Sequence, residues 1–196
     1  MQTRILRDRP RVKRTVAGAA LLAVVACSGL NDPIAGFDNA FYNSAVYALN
    51  GSPIGAPTAI NTANALTVRA EVGYDFDVAF DLDASGRPVV LTQRAVGLPA
   101  SGTGHTVALQ TMTGDFDTIL DAPDGGWVAD SVLTVNIGQT FAVRATVALC
   151  QLYGSPYLYS KAVVDSIRTS TRQIWLSVVT DPNCGFRSFV EGRPTH

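Results

Sequence analysis

Glutamate and lysine are almost missing from this chain of 196 residues: Glu71 and Glu191 are its only glutamates, and Lys13 and Lys161 its only lysines. Without those straight-chain helix formers an all-helical fold has little to build on, and the recurrent Val, Thr, Ala, Phe and Tyr favour strands. Histidine is as scarce, with His105 and His196 alone, so a histidine-rich metal centre has no raw material. Long apolar runs are also lacking. The one continuous apolar stretch, residues 16–26, has eleven residues. As a helix it reaches only about 16 Å, against roughly 30 Å of hydrocarbon in a bilayer. No internal repeat or low-complexity tract interrupts the chain.

Basic charge is concentrated at one end. Arg4, Arg7, Arg9, Arg11, Lys13 and Arg14 precede the apolar stretch against a single Asp8. Beyond residue 26 that leaves nine basic and 15 acidic side chains of the chain's 15 and 16, a net charge of −6. An acidic body excludes nucleic acid as a partner, because phosphates demand a basic surface. It would also be repelled by an anionic lipid surface.

A basic start, a short apolar run and then Val24-Val25-Ala26-Cys27 resembles the leader of bacterial lipoproteins, in which small residues precede a cysteine that becomes the acylated first residue. The resemblance implies a signal peptide over 1–26, acyl chains on Cys27 that hold the protein to a lipid bilayer, and a place in the cell envelope. Ser28 after the cysteine resembles an outer-membrane sorting choice. Parity agrees with this reading. With Cys27 lipidated, Cys150 and Cys184 remain as an even pair in an oxidising compartment, and a disulfide between them is expected. Its 34-residue separation would stabilise the fold by roughly 3 to 4 kcal/mol through loop entropy.

Residues 27–43 carry Gly29, Asn31, Asp32, Pro33, Gly36 and Asn39 and read as a tether, which leaves 44–196 as a single β-rich domain. Ala45 to Leu49, Asn50-Gly51 and Ile54 read as a strand and tight hairpin turn. Tyr74, Phe76, Val78, Phe80 and Leu82 alternate with Asp75, Asp77, Ala79, Asp81 and Asp83, so one face of that strand is expected in the core and the other in water. A turn of two or four residues at Ser85-Gly86 would keep Val89 and Leu91 on the Phe80 side and Arg94 on the Asp77 side, as compensator for the carboxylates. Strands are further expected over 106–112, 127–136, 140–150, 157–167 and 172–180. Phe116, Ile119 and Leu120 predict one helical turn near 115–121 that plugs an open end. The fold class is therefore all-β, an antiparallel sandwich or barrel. Phrases such as Tyr47-Ala48-Leu49-Asn50-Gly51 resemble those of uncharacterised secreted bacterial proteins, which implies no activity.

Four groups of residues invite a chemical role. Trp127 with Tyr153, Tyr157 and Tyr159 offers aromatic surface for a sugar or a protein, although alternating tyrosines also pack into a sheet. Asp81, Asp83 and Ser85, followed by Gly86, match the first half of a calcium loop, but position twelve is Thr92 where a bidentate Glu belongs, and a solvated hairpin turn is the simpler reading. Ser101-Gly102-Thr103-Gly104-His105 lacks the Gly-x-Ser-x-Gly pattern of a nucleophile elbow. Cys150 and Cys184 have been assigned to structure. No catalytic residue, metal or cofactor is expected. The function expected is that of a non-catalytic envelope lipoprotein that binds a protein or a cell-wall glycan, with a carbohydrate-binding or hydrolytic domain as the alternative.

Overall fold

The computed structural model describes residues 34–71, 75–98 and 105–194. The expected leader, the acylation site Cys27 and the Ser101 loop lie outside the described residues. Among the described residues no helix is long and apolar enough to cross a membrane.

Among the described residues eleven strands form two antiparallel sheets: β1 Ala40–Tyr47, β2 Ala59–Asn61, β3 Leu66–Val68, β4 Val78–Leu82, β5 Pro88–Thr92, β6 Val107–Thr111, β7 Val128–Ala129, β8 Val132–Thr134, β9 Thr140–Thr146, β10 Tyr157–Arg168 and β11 Gln173–Asp181. Sheet I has the order β1-β11-β10-β9-β6-β7 and sheet II the order β3-β2-β4-β5-β8. The sheets do not close into a barrel, so the all-β expectation resolves to a sandwich-like pair. Their facing rows meet in a core that includes Val46, Ile60, Phe80, Val90, Leu109, Phe141, Val164, Ile174 and Leu176. Phe80 and Phe141 are fully buried, and each such side chain contributes about 1.5 to 3 kcal/mol by leaving water.

Local chemistry explains where the strands depart from the simple alternation. Asp130 takes a left-handed conformation (φ 52°), so residues 127–136 do not run as one strand: β7 pairs with β6 in sheet I and β8 with β5 in sheet II. The 140–150 strand ends at Thr146 and passes into a 3-10 helix, Ala148–Tyr153. Asn50-Gly51 is not a hairpin turn. Tyr47 N–H donates to Pro57 O, and the chain continues through Pro53 and Pro57 to sheet II; prolines cannot supply a returning ladder. The segment read as a tether to residue 43 belongs to the domain at its C-terminal end, because β1 starts at Ala40 and Asn39 is already buried.

The β4–β5 connection corrects two further expectations. Asp83 and Arg87 close a three-residue turn in which Gly86 adopts φ 78°, the form that carries a glycine bulge. An odd loop reverses the parity that two or four residues would give. Phe80 therefore faces Val90, while Val89 and Leu91 lie opposite Asp81 and Ala79. Nor is the aspartate face open to water throughout: Asp75 is exposed and Asp81 and Asp83 partly so, but Ala79 is buried. A bend at Asp77 resets the alternation, so Phe76 packs with Ala59, Ala70 and Ala79, away from Val78 and Phe80 in the central core, and Asp77 itself is buried. Arg94 pairs with Asp130 at 3.1 Å and not with Asp77.

The helical turn forms as a 3-10 turn, Phe116–Thr118, but it covers a face and not an end. Phe116 and Ile119 pack with Tyr159, Val179 and Phe189 on the outer side of sheet I. Lys161 reaches from β10 into this layer, where its Nζ donates to Phe116 O and, at 2.8 Å, to Ile119 O. Leu120 stays exposed. Sheet I also has a long edge at β1. Val46, Ser44, Tyr42 and Ala40 point their backbone groups at β11, and those of Phe41, Asn43 and Ala45 point outward. Both ends of that outward row are closed, by Asn39 N–H to Gly192 O and by Tyr47 N–H to Pro57 O.

Candidate functional site

A disulfide joins Cys150 in the 3-10 helix to Cys184 beyond β11, with Cα atoms 5.2 Å apart, as parity led us to expect. It fixes the loop that carries Tyr153.

The histidine that follows the Gly-rich Ser101 segment is committed to the fold. His105 enters β6 of sheet I, and its Nε2–H donates to Asp77 Oδ1 of sheet II at 3.0 Å. Its Nδ1 is 2.7 Å from Thr146 O, a group that can only accept, so Nδ1 carries a proton, and with Nε2–H given to the Asp77 carboxylate the ring below its pKa is doubly protonated. Asp77 holds the imidazole pKa above its ordinary 6.5 by hydrogen bonding, against the opposing effect of burial. The other carboxylate oxygen accepts Thr62 N–H and Thr62 Oγ1–H, each at 2.6 Å, and Thr62 O accepts from Thr180 Oγ1 at 3.0 Å. Tyr42 lies in the same network near Thr180 and Asp77; burial pushes its phenol up to about 12. With no ring nitrogen free to accept a proton, His105 is not placed as a general base. This network ties the sheets together.

Trp127, Tyr157 and Tyr159 do come together, with ring centroids 5.8 Å apart for Trp127 and Tyr159 and 6.3 Å for the two tyrosines. The space among them is filled. The Arg144 guanidinium sits 4.5 Å from the Tyr157 centroid and 5.0 Å from that of Trp127, and the indole N–H donates to Pro123 O. Tyr153 is exposed on the 3-10 helix and belongs to none of these ring contacts. Asp81, Asp83 and Ser85 do not converge on a common point. Asp83 accepts the N–H groups of Ser85 and Arg87 and pairs with the Arg87 side chain at 2.8 Å, while Asp81 pairs with Arg172 at 3.1 Å and accepts from Asn50. Among the described residues no group of three or more His, Cys, Asp and Glu is placed to hold a metal ion.

A site that the chain pattern did not bring forward lies on the outer side of sheet I. In β11, Trp175 shares its row with Gln173 and Ser177 and stands directly opposite Ala45 of β1 and Ser166 of β10. Its cross-strand neighbours are small, the indole is half-buried, and it belongs to none of the three apolar clusters. The β10 register jumps from Val164 to Ser166, so Asp165 is the extra residue of a bulge, a device that re-aims a side chain. Its carboxylate accepts from Ser177 Oγ at 2.9 Å, and the side-chain oxygen of Asn43 is 3.1 Å from the same hydroxyl. Arg168 lies 5.2 Å over the Trp175 ring. Asn43, Asp165, Ser166, Arg168 and Trp175 line a groove of about 770 Å³, within the range of small-molecule sites. A tryptophan in the outward row of β11 was visible in the order Gln173, Trp175, Ser177. The bulge that brings Asp165 beside it was not.

Compared with protein families, curated proteins and solved structures, the chain matches none.

Proposed function

We propose that this chain is an exported protein held to the cell envelope by acyl chains on Cys27, and that its β-domain serves by binding and not by catalysis. The Cys150–Cys184 disulfide carries this reading. It uses two of the three cysteines, leaves Cys27 as the single thiol next to the apolar leader, and is the kind of bond that persists outside a reducing cytoplasm. The binding half draws support from the fate of the polar groups: His105, Asp77, Asp81 and Asp83 are each committed to partners within the fold. Attachment by more than one acyl chain gives stable anchoring where a single chain does not, at about 0.8 kcal/mol per buried CH₂.

Cell fractionation with mass spectrometry of the N-terminal peptide tests this. The expected result is an envelope protein that begins at an acylated Cys27. Recovery in the cytosol with residues 1–26 still attached and Cys27 unmodified would overturn it.

A further inference from the structure

We propose that the Trp175 groove is a binding site for the ring of a neutral saccharide. The proposal rests on the binding role above but not on the lipid anchor. A pyranose presents an apolar C–H face and a rim of hydroxyls that both donate and accept. The groove offers the matching parts: an indole on the open side of sheet I, and around it the Asp165 carboxylate, the Asn43 amide, the Ser166 hydroxyl and the Arg168 guanidinium. Aromatic area with a few convergent polar groups is the usual make-up of a small-molecule site.

Charge narrows the class. One carboxylate and one guanidinium give the groove no net charge, which disfavours anions and cations alike and suits an uncharged ligand. Arg168 forms no ion pair among the described residues and rests on the ring, so a sugar that displaces it breaks no salt bridge. Burial supplies the contrast. Both tryptophans are half-buried and carry a guanidinium, but Arg144 is half-buried between two rings whereas Arg168 is exposed over one, and Phe116, Ile119 and Phe189 cover the Tyr159 part of the same sheet face.

The test uses the full chain, purified in a detergent without a sugar headgroup, with cellotriose and chitotriose as neutral probes and tri-galacturonate as the charged comparison. Binding is followed by calorimetry and by the two indole N–H resonances. Saturable binding of a neutral trisaccharide that shifts the Trp175 resonance and not that of Trp127 is expected. Trp175→Ala and Asn43→Ala should each weaken it by about tenfold or more, and Asn43→Ala should do so without changing the melting temperature. The proposal fails if neither neutral probe binds at about 10 mM, if only tri-galacturonate binds, or if both variants bind as the parent does. Sugar binding by a chain found unacylated in the cytosol would refute the anchor and support the groove; an acylated envelope chain that binds no neutral sugar would do the reverse.

Discussion

Asp77 and His105 meet at 3.0 Å from opposite sheets, and each uses its remaining polar capacity on its own sheet, Asp77 on Thr62 and His105 on Thr146 O. The pair is a clamp between the two layers, beside the Thr180–Thr62 hydrogen bond and apart from the Arg172–Asp81 ion pair, both of which also cross between them.

Its pH dependence has a definite sign. The folded state raises the pKa of His105 above 6.5, so the protonated ring stabilises the fold fully below the ordinary histidine range, and that contribution is lost as pH rises through the folded value. Thermal melts should therefore show stability declining as pH rises above 6.5. His105→Ala should flatten that decline and cost on the order of 2 kcal/mol at pH 6, because it leaves Asp77 buried with fewer partners. A variant with the parent's pH profile would count against the clamp.

Asp181 carries the opposite sign. It is fully buried, Asn183 supplies both donors to its Oδ1, and burial raises its pKa. The unfolded chain ionises first, so this group lowers stability as pH climbs above the ordinary carboxylate range. Asp181→Asn should melt higher than the parent at pH 7, and the difference should close below about pH 4, where both forms of the residue are neutral. Chemical denaturation at the two pH values measures it.

Lys161 is nearly inaccessible, and its ammonium holds the carbonyls of Phe116 and Ile119. Replacement by Met keeps the stem and removes the donors, leaving two carbonyls short of a partner. A loss of about 1 to 3 kcal/mol is expected. Amide exchange should locate it: the Ile119 N–H bonded to Asp115 O should lose protection while β9 keeps its own.

Two glycines separate conformational cost from steric cost. A Cβ at Gly86 meets nothing within 4 Å, so Gly86→Ala should cost only its left-handed backbone, about 1 kcal/mol. At Gly185 the same atom would stand 2.6 Å from Ser155 Cβ, beside the disulfide. Gly185→Ala should therefore destabilise clearly more in urea melts, and Ser155→Gly should recover part of the difference.

The strands of sheet I were readable because their alternation is long. Gln173 to Asp181 and Tyr157 to Val164 keep one register over many residues, and the two cysteines advertised their bond by parity. Sheet II was harder for a physical reason. Its strands have three to five residues, too few for a period of two to outvote a bend, and the Asp77 bend and the Gly86 turn each displaced the expected face by one position. The candidate sites followed the same division. Residue types pointed to Trp127 and the tyrosines, yet Arg144, distant in sequence from Trp127, filled their space. Trp175 gained its surroundings from a bulge and from Ala45, some 130 positions away.

The two backbone bonds that close the outward row of β1 have a consequence for life at high concentration. Eight uncharged residues in an edge strand are an invitation to templated aggregation. With Asn39 and Tyr47 already spoken for, an incoming strand finds rungs only from Phe41 to Ala45, about 17 Å of ladder. So short a pairing, with no second layer to bury it, is marginal in water. The β1 edge therefore offers a neighbouring copy too short a ladder to template further strands.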